Sequence, residues 1–292
     1  MKVALYGRKL TRQNVSLFEQ IFKILKDSHC TPILEKELQE QLVKKGNIGG
    51  EYDIYTSYKD LQQGVDMAFS IGGDGTFIKT VGFIRDSGVP IVGINTGRLG
   101  FLANINPEKI EETVEMIQQK RYSYQKRSLL RIHTEDDLFG DDNLALNELT
   151  LHKKDTASMI TVHASLDENY LNSYWADGLI VSTPTGSTAY NLSCGGPIIT
   201  PGCQVHILTP IAPHNLNVRP MVVPDHLPIH LTVEGRERKY LISLDSNTKS
   251  IPNDTRITVE KAEFMINVLK LEDTNFLDTI RNKMSWGMDK RN

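Results

Sequence analysis

Several signatures that would fix a function outright are missing from this sequence. No Gly-Lys dipeptide occurs in its 292 residues, which excludes a P-loop, where that lysine must reach the phosphates. The apolar opening Met1–Gly7 is not followed by G-x-G-x-x-G, so the usual dinucleotide fingerprint is excluded too. The protein-kinase signatures, the H-E-x-x-H zinc pair and the G-x-S-x-G elbow are also absent. No uninterrupted apolar segment approaches the ~20 residues that cross a bilayer. Met1–Gly7 is too short for a signal-peptide core and reads as a first strand. The three cysteines, Cys30, Cys194 and Cys203, are odd in number and lack C-x-x-C spacing. They are expected as small, reduced, buried residues of a cytoplasmic protein. A net charge of −3 supplies no basic field, so neither nucleic acid nor membrane is expected as a partner. What remains, 39% hydrophobic and 24% charged, is an ordinary globular composition long enough for two cores.

The pattern changes once along the chain. In the first third, strands alternate with helices. Val3–Tyr6 precedes a helical face of Val15, Phe18, Ile21, Phe22 and Leu25, and a second helix is expected from about Glu35 to Gly46. Met67–Ile71 and Val89–Ile94 read as strands. Asn106-Pro107-Glu108 reads as a helix start, with Asn as N-cap and Pro at the first position, ahead of Ile110, Val114 and Ile117. Such alternation predicts a parallel sheet covered on both faces. From about Ser128 the runs become short and β-rich: Leu129–His133, Leu144–Leu151, Met159–Leu166, Gly178–Ser182, Ile229–Val233, Tyr240–Leu244, Arg256–Val259 and Met265–Leu271. They predict a mainly β domain, sandwich-like or barrel-like. The expected division is residues 1–125, residues 126–271, and a helical tail, 272–292, that could return to the first domain.

Gly72-Gly73-Asp74-Gly75-Thr76 lies between a strand and a helical pattern. Glycine there lets backbone N–H groups approach phosphate oxygens, and a helix N-terminus favours the incoming negative charge. One carboxylate at such a turn suits accepting a proton from a hydroxyl, or placing Mg²⁺, beside a phosphate chain. The reaction class indicated is phosphoryl transfer. A second stretch, Asp177 through Tyr190, carries five hydroxyl side chains between 182 and 188. These suit ribose, amide and adenine edges, or else brace a Ser/Thr-rich turn. Asn147-Glu148 is a third candidate, though adjacent strand residues point to opposite faces, so a strand end or bulge is needed for both to serve one ligand.

Together Gly72–Thr76, Asn95–Leu102, Asn147-Glu148, Asp177–Tyr190, Leu208–His214 and Arg219-Pro220 resemble the NAD kinase family, in the same order and over about residues 67–250. That resemblance implies a Rossmann-like α/β domain followed by a mainly β domain. It implies transfer of the γ-phosphate of ATP, or of another phosphoryl donor such as polyphosphate, with Mg²⁺, to the 2′-hydroxyl of the adenosine ribose of NAD, giving NADP. It implies Asp74 as general base with Gly75 against the same substrate end, and Gly72, Gly73 and Thr76 stand beside them as expected substrate- or nucleotide-binding residues. Asn147 and Glu148 are implied to hold riboses and adenine, and Asp177 to lie near the nicotinamide. Thr188, Ala189, Tyr190, Asn191, Leu192 and Ser193 are implied to enclose adenine and ribose, with Ala212 and Asn247 as further contacts. Two positions depart from many family members: Asn247 stands where Gln is frequent, and Trp175 where a basic residue is common. The family also implies a homodimer or homotetramer. A lipid kinase sharing the glycine–aspartate motif is the competing enzyme, but the Thr183–Thr188 turn is a poor lining for acyl chains. A non-catalytic nucleotide sensor is the competing binder, and Asp74 counts against it.

Overall fold

The structure, a computed structural model, describes residues 1–7, 10, 12–46, 48, 50–62, 64–154, 159–236, 238–272 and 275–285. The chain forms two compact units, Met1–Lys126 with Ile266–Asn292, and Arg127–Met265.

The first unit is built on a seven-stranded sheet in the spatial order Asp53–Tyr55, Thr31–Glu35, Lys2–Gly7, Met67–Gly72, Ile91–Asn95, Ile266–Leu271, Tyr122–Arg127. The pairings from Asp53–Tyr55 through Ile266–Leu271 are parallel. Lys2–Gly7, Met67–Gly72 and Ile91–Asn95 are buried almost throughout, which explains their unbroken apolar runs: a central parallel strand is covered on both faces. From Lys2–Gly7 the chain adds strands to one side, then returns to add Met67–Gly72 on the other. That reversal is a topological switch point, where open α/β sheets leave a crevice at the carboxyl ends of their strands.

The helices include Arg12–Asp27, Lys36–Gln41, Asp74–Ile84, Ile110–Gln118 and Phe276–Met284. The helix expected from Glu35 is capped by Glu35, which accepts from the N–H groups of Glu37 and Leu38 at 2.8 Å each. It widens into a π turn over Leu42–Gly46. Asn106 makes no side-chain cap bond; Pro107–Lys109 is a 3₁₀ turn, and the α-helix begins at Ile110. The run expected among the β-domain strands at Met265–Leu271 lies elsewhere. Its strand, Ile266–Leu271, joins the first unit's sheet beside Ile91–Asn95, with Val268 paired to Ile91.

The second unit is a sandwich of two six-stranded sheets. One has the order Asn169–Ala176, Ile160–Leu166, Ile229–Gly235, Ile257–Lys261, Leu130–Thr134, Leu144–Ala145; the other Met221–Pro224, Val205–Ile211, Gly178–Ser182, Glu148–His152, Lys239–Leu244, Asn247–Pro252. Neighbouring strands run antiparallel. Buried and exposed positions alternate along Ile229–Gly235 and Lys239–Leu244, as one-sided burial requires. Val162, Leu231 and Val259 of one sheet pack with Leu151, Val181 and Ile242 of the other. Cys30 is buried, whereas Cys203 is exposed, against the expectation that all three cysteines are interior. Among the described residues no helix is long and apolar enough to cross a membrane.

Candidate active site

In the first unit the Gly-Gly-Asp-Gly-Thr turn sits at the carboxyl end of Met67–Gly72, beside the switch point. Gly73 is the N-cap, and Asp74, Gly75 and Thr76 form the first turn of Asp74–Ile84. The three glycines do different work. A Cβ at Gly72 would collide with the Thr76 side chain, so Gly72 is demanded by local packing. Among the described residues, a Cβ at Gly73 or Gly75 would meet no atom within 4 Å beyond its chain neighbours and its own helix backbone, which leaves room for a ligand against the backbone. Opening N–H groups of a helix have no partner within it, so this turn presents donors and the positive end of a dipole.

The Asp74 carboxylate is held by the loop after Ile91–Asn95. Oδ1 accepts from the N–H of Leu102 at 3.0 Å and of Ala103 at 2.9 Å, and Oδ2 accepts from the N–H of Phe101 at 2.9 Å. Buried Asn95 starts this loop by accepting from the N–H of Gly97 at 2.8 Å, and the Thr96 N–H returns to the Gly72 carbonyl at 3.1 Å. Gly100 makes the wrap possible, because a Cβ there would strike Asp74 Oδ1. On the open side, Lys283 from Phe276–Met284 places Nζ 3.5 Å from Oδ2. Neither Phe101–Ala103 nor Lys283 stands out as an Asp74 partner in the sequence; the bonds from 101–103 are backbone, and Lys283 carries no local signal.

The second unit has its own polar centre. Glu148 opens its strand and Asn147 precedes it, so the pair sits at a strand end, as one shared ligand requires. Asp245, in the two-residue turn joining Lys239–Leu244 to Asn247–Pro252, braces them. Its carboxylate accepts from the N–H groups of Leu146, Asn147 and Glu148 at 2.8, 2.9 and 3.1 Å. Burial pushes the Asp245 carboxyl up, against the three N–H donors. Burial, and then the neighbouring Asp245 charge, push the Glu148 carboxyl up to about 8, opposed by a hydrogen bond from the Tyr190 N–H. Glu148 Oε2 is buried with no hydrogen-bond partner among the described residues. Asp245 stands out in the sequence only through the polar run Asp245-Ser246-Asn247 after a β-rich stretch, a turn signal; in the structure it takes φ 50° in that tight hairpin turn.

The hydroxyl-rich segment braces itself. Ser182 Oγ donates to the Asn147 carbonyl and Thr183 Oγ1 to the Leu146 carbonyl, at 3.2 and 2.6 Å. Ser187 Oγ donates to the Pro184 carbonyl, Thr188 Oγ1 to the Thr185 carbonyl, and Thr185 Oγ1 accepts from Arg127. Asn191 is fully buried, donating to the Ser187 and Pro197 carbonyls and accepting from Thr209 Oγ1. Its side chain braces the loop on which the expected adenine and ribose contacts, 188–193, are carried. Thr188, Ala189 and Leu192 are half-buried, while Tyr190 and Ser193 are exposed. The Tyr190 phenol is pushed up by burial, then by Cys194, and further by Asp177 and Glu148.

Asp177 pairs with Lys153 at 2.6 Å, and its N–H donates to the Ile211 carbonyl next to Ala212. Ala212 is exposed at φ 44°, and Asn247 lies half-buried at the start of its strand. Trp175 packs against the His214 ring at 5.2 Å, and Arg219 donates to the Leu216 and Val218 carbonyls, as a turn-fixing arginine does.

Comparisons with known proteins give the family. Residues 3–122 match the model of the ATP-NAD kinase N-terminal domain and residues 146–271 that of the ATP-NAD kinase C-terminal domain. The chain is 45% identical over 294 residues to the NAD kinase of Flavobacterium psychrophilum, covering 100% of both. It is 43% identical to that of Cytophaga hutchinsonii, again over 100% of each. Its fold resembles a crystal structure of yeast NADH kinase complexed with NADH, at TM-score 0.85 and 20% identity over 99% of this chain and 88% of that one. It also resembles an NAD kinase from Archaeoglobus fulgidus in complex with ATP, at TM-score 0.72 and 27% identity over 98% of each. Full-length identity and the two domain matches, on a fold with a glycine-lined carboxylate at its switch point, make the chain a member of the NAD kinase family.

Proposed function

We propose that this NAD kinase transfers the γ-phosphoryl group of ATP to the 2′-hydroxyl of the adenosine ribose of NAD, with Asp74 as general base. The observation that carries the reading is Asp74 itself, flanked by Gly73 and Gly75 with open space where side chains would stand. The ribose oxygen attacks the γ-phosphorus, its proton passes to Asp74, and the bond to the bridging oxygen breaks so that ADP leaves with the electron pair. A ribose hydroxyl is a poor nucleophile, and a positioned carboxylate typically contributes about 10²–10⁴ in rate. Gly73 and Gly75 are proposed to offer backbone N–H donors to the phosphates, with Gly72 and Thr76 shaping the turn, since the Thr76 N–H is already given to the Gly73 carbonyl at 2.9 Å.

Mg²⁺ enters with the triphosphate as part of the substrate, neutralising its charge. Among the described residues no cluster of three or more His, Cys, Asp or Glu could hold a metal. Mg²⁺ commonly needs only one or two carboxylates besides phosphate oxygens and water, and the open turn at Asp74 suits that arrangement.

On the second unit, Asn147, Glu148 and the 188–193 segment are proposed to receive adenine and ribose, with Asn191 serving through the loop it braces. Asp177, Ala212 and Asn247 are proposed to complete the dinucleotide contacts. The unpartnered Glu148 Oε2 supports this, since a buried polar atom without a partner is costly unless a ligand supplies one. A homodimer or homotetramer is proposed from the family resemblance, and a reducing, cytoplasmic setting is supported by three free cysteines.

The test is Asp74→Asn assayed with ATP, Mg²⁺ and NAD. NADP formation by the unaltered chain and loss of about 10²–10⁴ in kcat with NAD binding retained are expected. Near-normal turnover in the variant would remove Asp74 from the role of base. Phosphate appearing on a lipid acceptor, with no NADP, would assign the chain to the lipid kinases instead.

A further inference from the structure

A carboxylate offers about four lone-pair positions. Oδ1 of Asp74 has both of its positions taken, by the Leu102 and Ala103 N–H groups at 3.0 and 2.9 Å. Oδ2 accepts one N–H, from Phe101 at 2.9 Å, which leaves one position open. The acceptor hydroxyl of the proposed reaction must bind at that position. Lys283 Nζ lies 3.5 Å from the same oxygen.

The lysine is held from two sides. Its ammonium lies 4.2 Å from the centroid of the Phe101 ring, so one residue gives its N–H to the carboxylate and its ring face to the cation. Lys283 also stands in the last turn of Phe276–Met284, where the helix dipole favours positive charge. Asn275 caps that helix by accepting from the Leu277 N–H at 3.0 Å, and Ile280 is buried beneath it. A separation of 3.5 Å is longer than a tight charged hydrogen bond, so the contact is readily released. The two side chains are 32% and 31% exposed, open enough for a ligand to arrive.

We propose that Lys283 belongs to the phosphoryl-transfer centre: it covers the open lone pair of Asp74 and, displaced by the acceptor hydroxyl, sets its ammonium against the incoming phosphoryl oxygens. A bare carboxylate beside a polyanionic phosphate chain is repulsive, and a lysine able to move between the two offsets that repulsion at each stage. No bond is made or broken on Lys283; the proton of the hydroxyl goes to Asp74.

This inference rests on reading Asp74 as the base, so the unaltered chain, Asp74→Asn, Lys283→Met and Lys283→Arg are assayed side by side with NAD and MgATP. Met keeps the stem on Phe101 and removes the charge. For Lys283→Met, kcat is expected to fall about tenfold and KM for ATP to rise several-fold, with KM for NAD within about twofold. Lys283→Arg is expected to recover most of kcat, and the melting temperature of both to stay within about 2 °C of the unaltered chain. If kcat and both KM values of Lys283→Met lie within about twofold of the unaltered chain, the proposal is overturned. A loss shared by Met and Arg with a lowered melting temperature assigns Lys283 to helix packing, which also overturns it. Failure of the unaltered chain to make NADP, or normal turnover by Asp74→Asn, defeats the underlying reading and is seen separately.

Discussion

A methyl group at Gly100 would strike the carboxylate of Asp74, whereas one at Gly73 or Gly75 would meet nothing within 4 Å among the described residues beyond its chain neighbours and helix backbone. The first glycine serves the protein and the other two leave room for the ligand. Gly100→Ala therefore displaces the loop that orients Asp74, and overpacking of this kind costs about 1–3 kcal/mol. Its expected signature is a lower melting temperature together with a kcat reduced at least about tenfold. Gly75→Ala lies within the helix, where Ala is the better former, and Gly73→Ala at the N-cap, where Ala is the poorer residue; both are expected to leave stability within about 1 kcal/mol. Their effect falls on ATP, as a KM raised in steady-state kinetics with the melting curve unchanged. The glycine–aspartate turn was legible in the sequence because its parts are contiguous. The donors that hold its carboxylate were not, because backbone N–H groups carry no residue signature and Lys283 lies far along the chain.

Among the elements, the hairpin that carries Asp245 and the strand that begins at Glu148 act as one device. The hairpin turn supplies three acceptor contacts to residues 146–148, and the strand end supplies a carboxyl pushed up to about 8 by burial and by Asp245. The sign follows from proton counting. Between its ordinary value of 4.5 and about 8, Glu148 holds a proton in the folded chain that the unfolded chain has lost, so stability falls as pH rises through that window. Asp245, also raised, acts in the same direction. Melting temperature is thus expected to decline from about pH 5 to about pH 8.5, and Glu148→Gln to flatten that decline in scanning fluorimetry. An equal slope in the variant would place the dependence elsewhere. Asp245→Ala orphans three N–H donors and is expected to cost at least about 2 kcal/mol in denaturant titration. Strands such as Ile229–Gly235 were legible through alternation, and Gly178–Ser182 through its continuous apolar run. The role of the hydroxyls between 182 and 188 was not: composition shows donors and acceptors, and only geometry shows that they face inward.

For the whole molecule, the assignment of Ile266–Leu271 matters most. A short β-rich run reads the same whichever sheet receives it, so nothing local distinguishes a seventh strand of the first sheet from another strand of the sandwich. Its place between Ile91–Asn95 and Tyr122–Arg127 makes the first unit discontinuous in sequence. A chain ending at Met265 would lose an interior strand and Lys283 together. It is expected to show a collapsed cooperative transition for the first unit and no kinase activity, while retaining the circular-dichroism signature of the antiparallel sandwich. Two undiminished transitions in calorimetry would contradict that expectation.

The same discontinuity sets an order of events during synthesis. Arg127–Met265 is contiguous and leaves the ribosome before Ile266–Leu271, so the sandwich has all of its strands while the parallel sheet still waits for one. The lysine beside the Asp74 carboxylate arrives later still, on the helix that follows that strand. A nascent chain arrested before that helix emerges carries its aspartate without its cation, so under the proposed role for Lys283 full turnover begins only when translation has delivered that last helix.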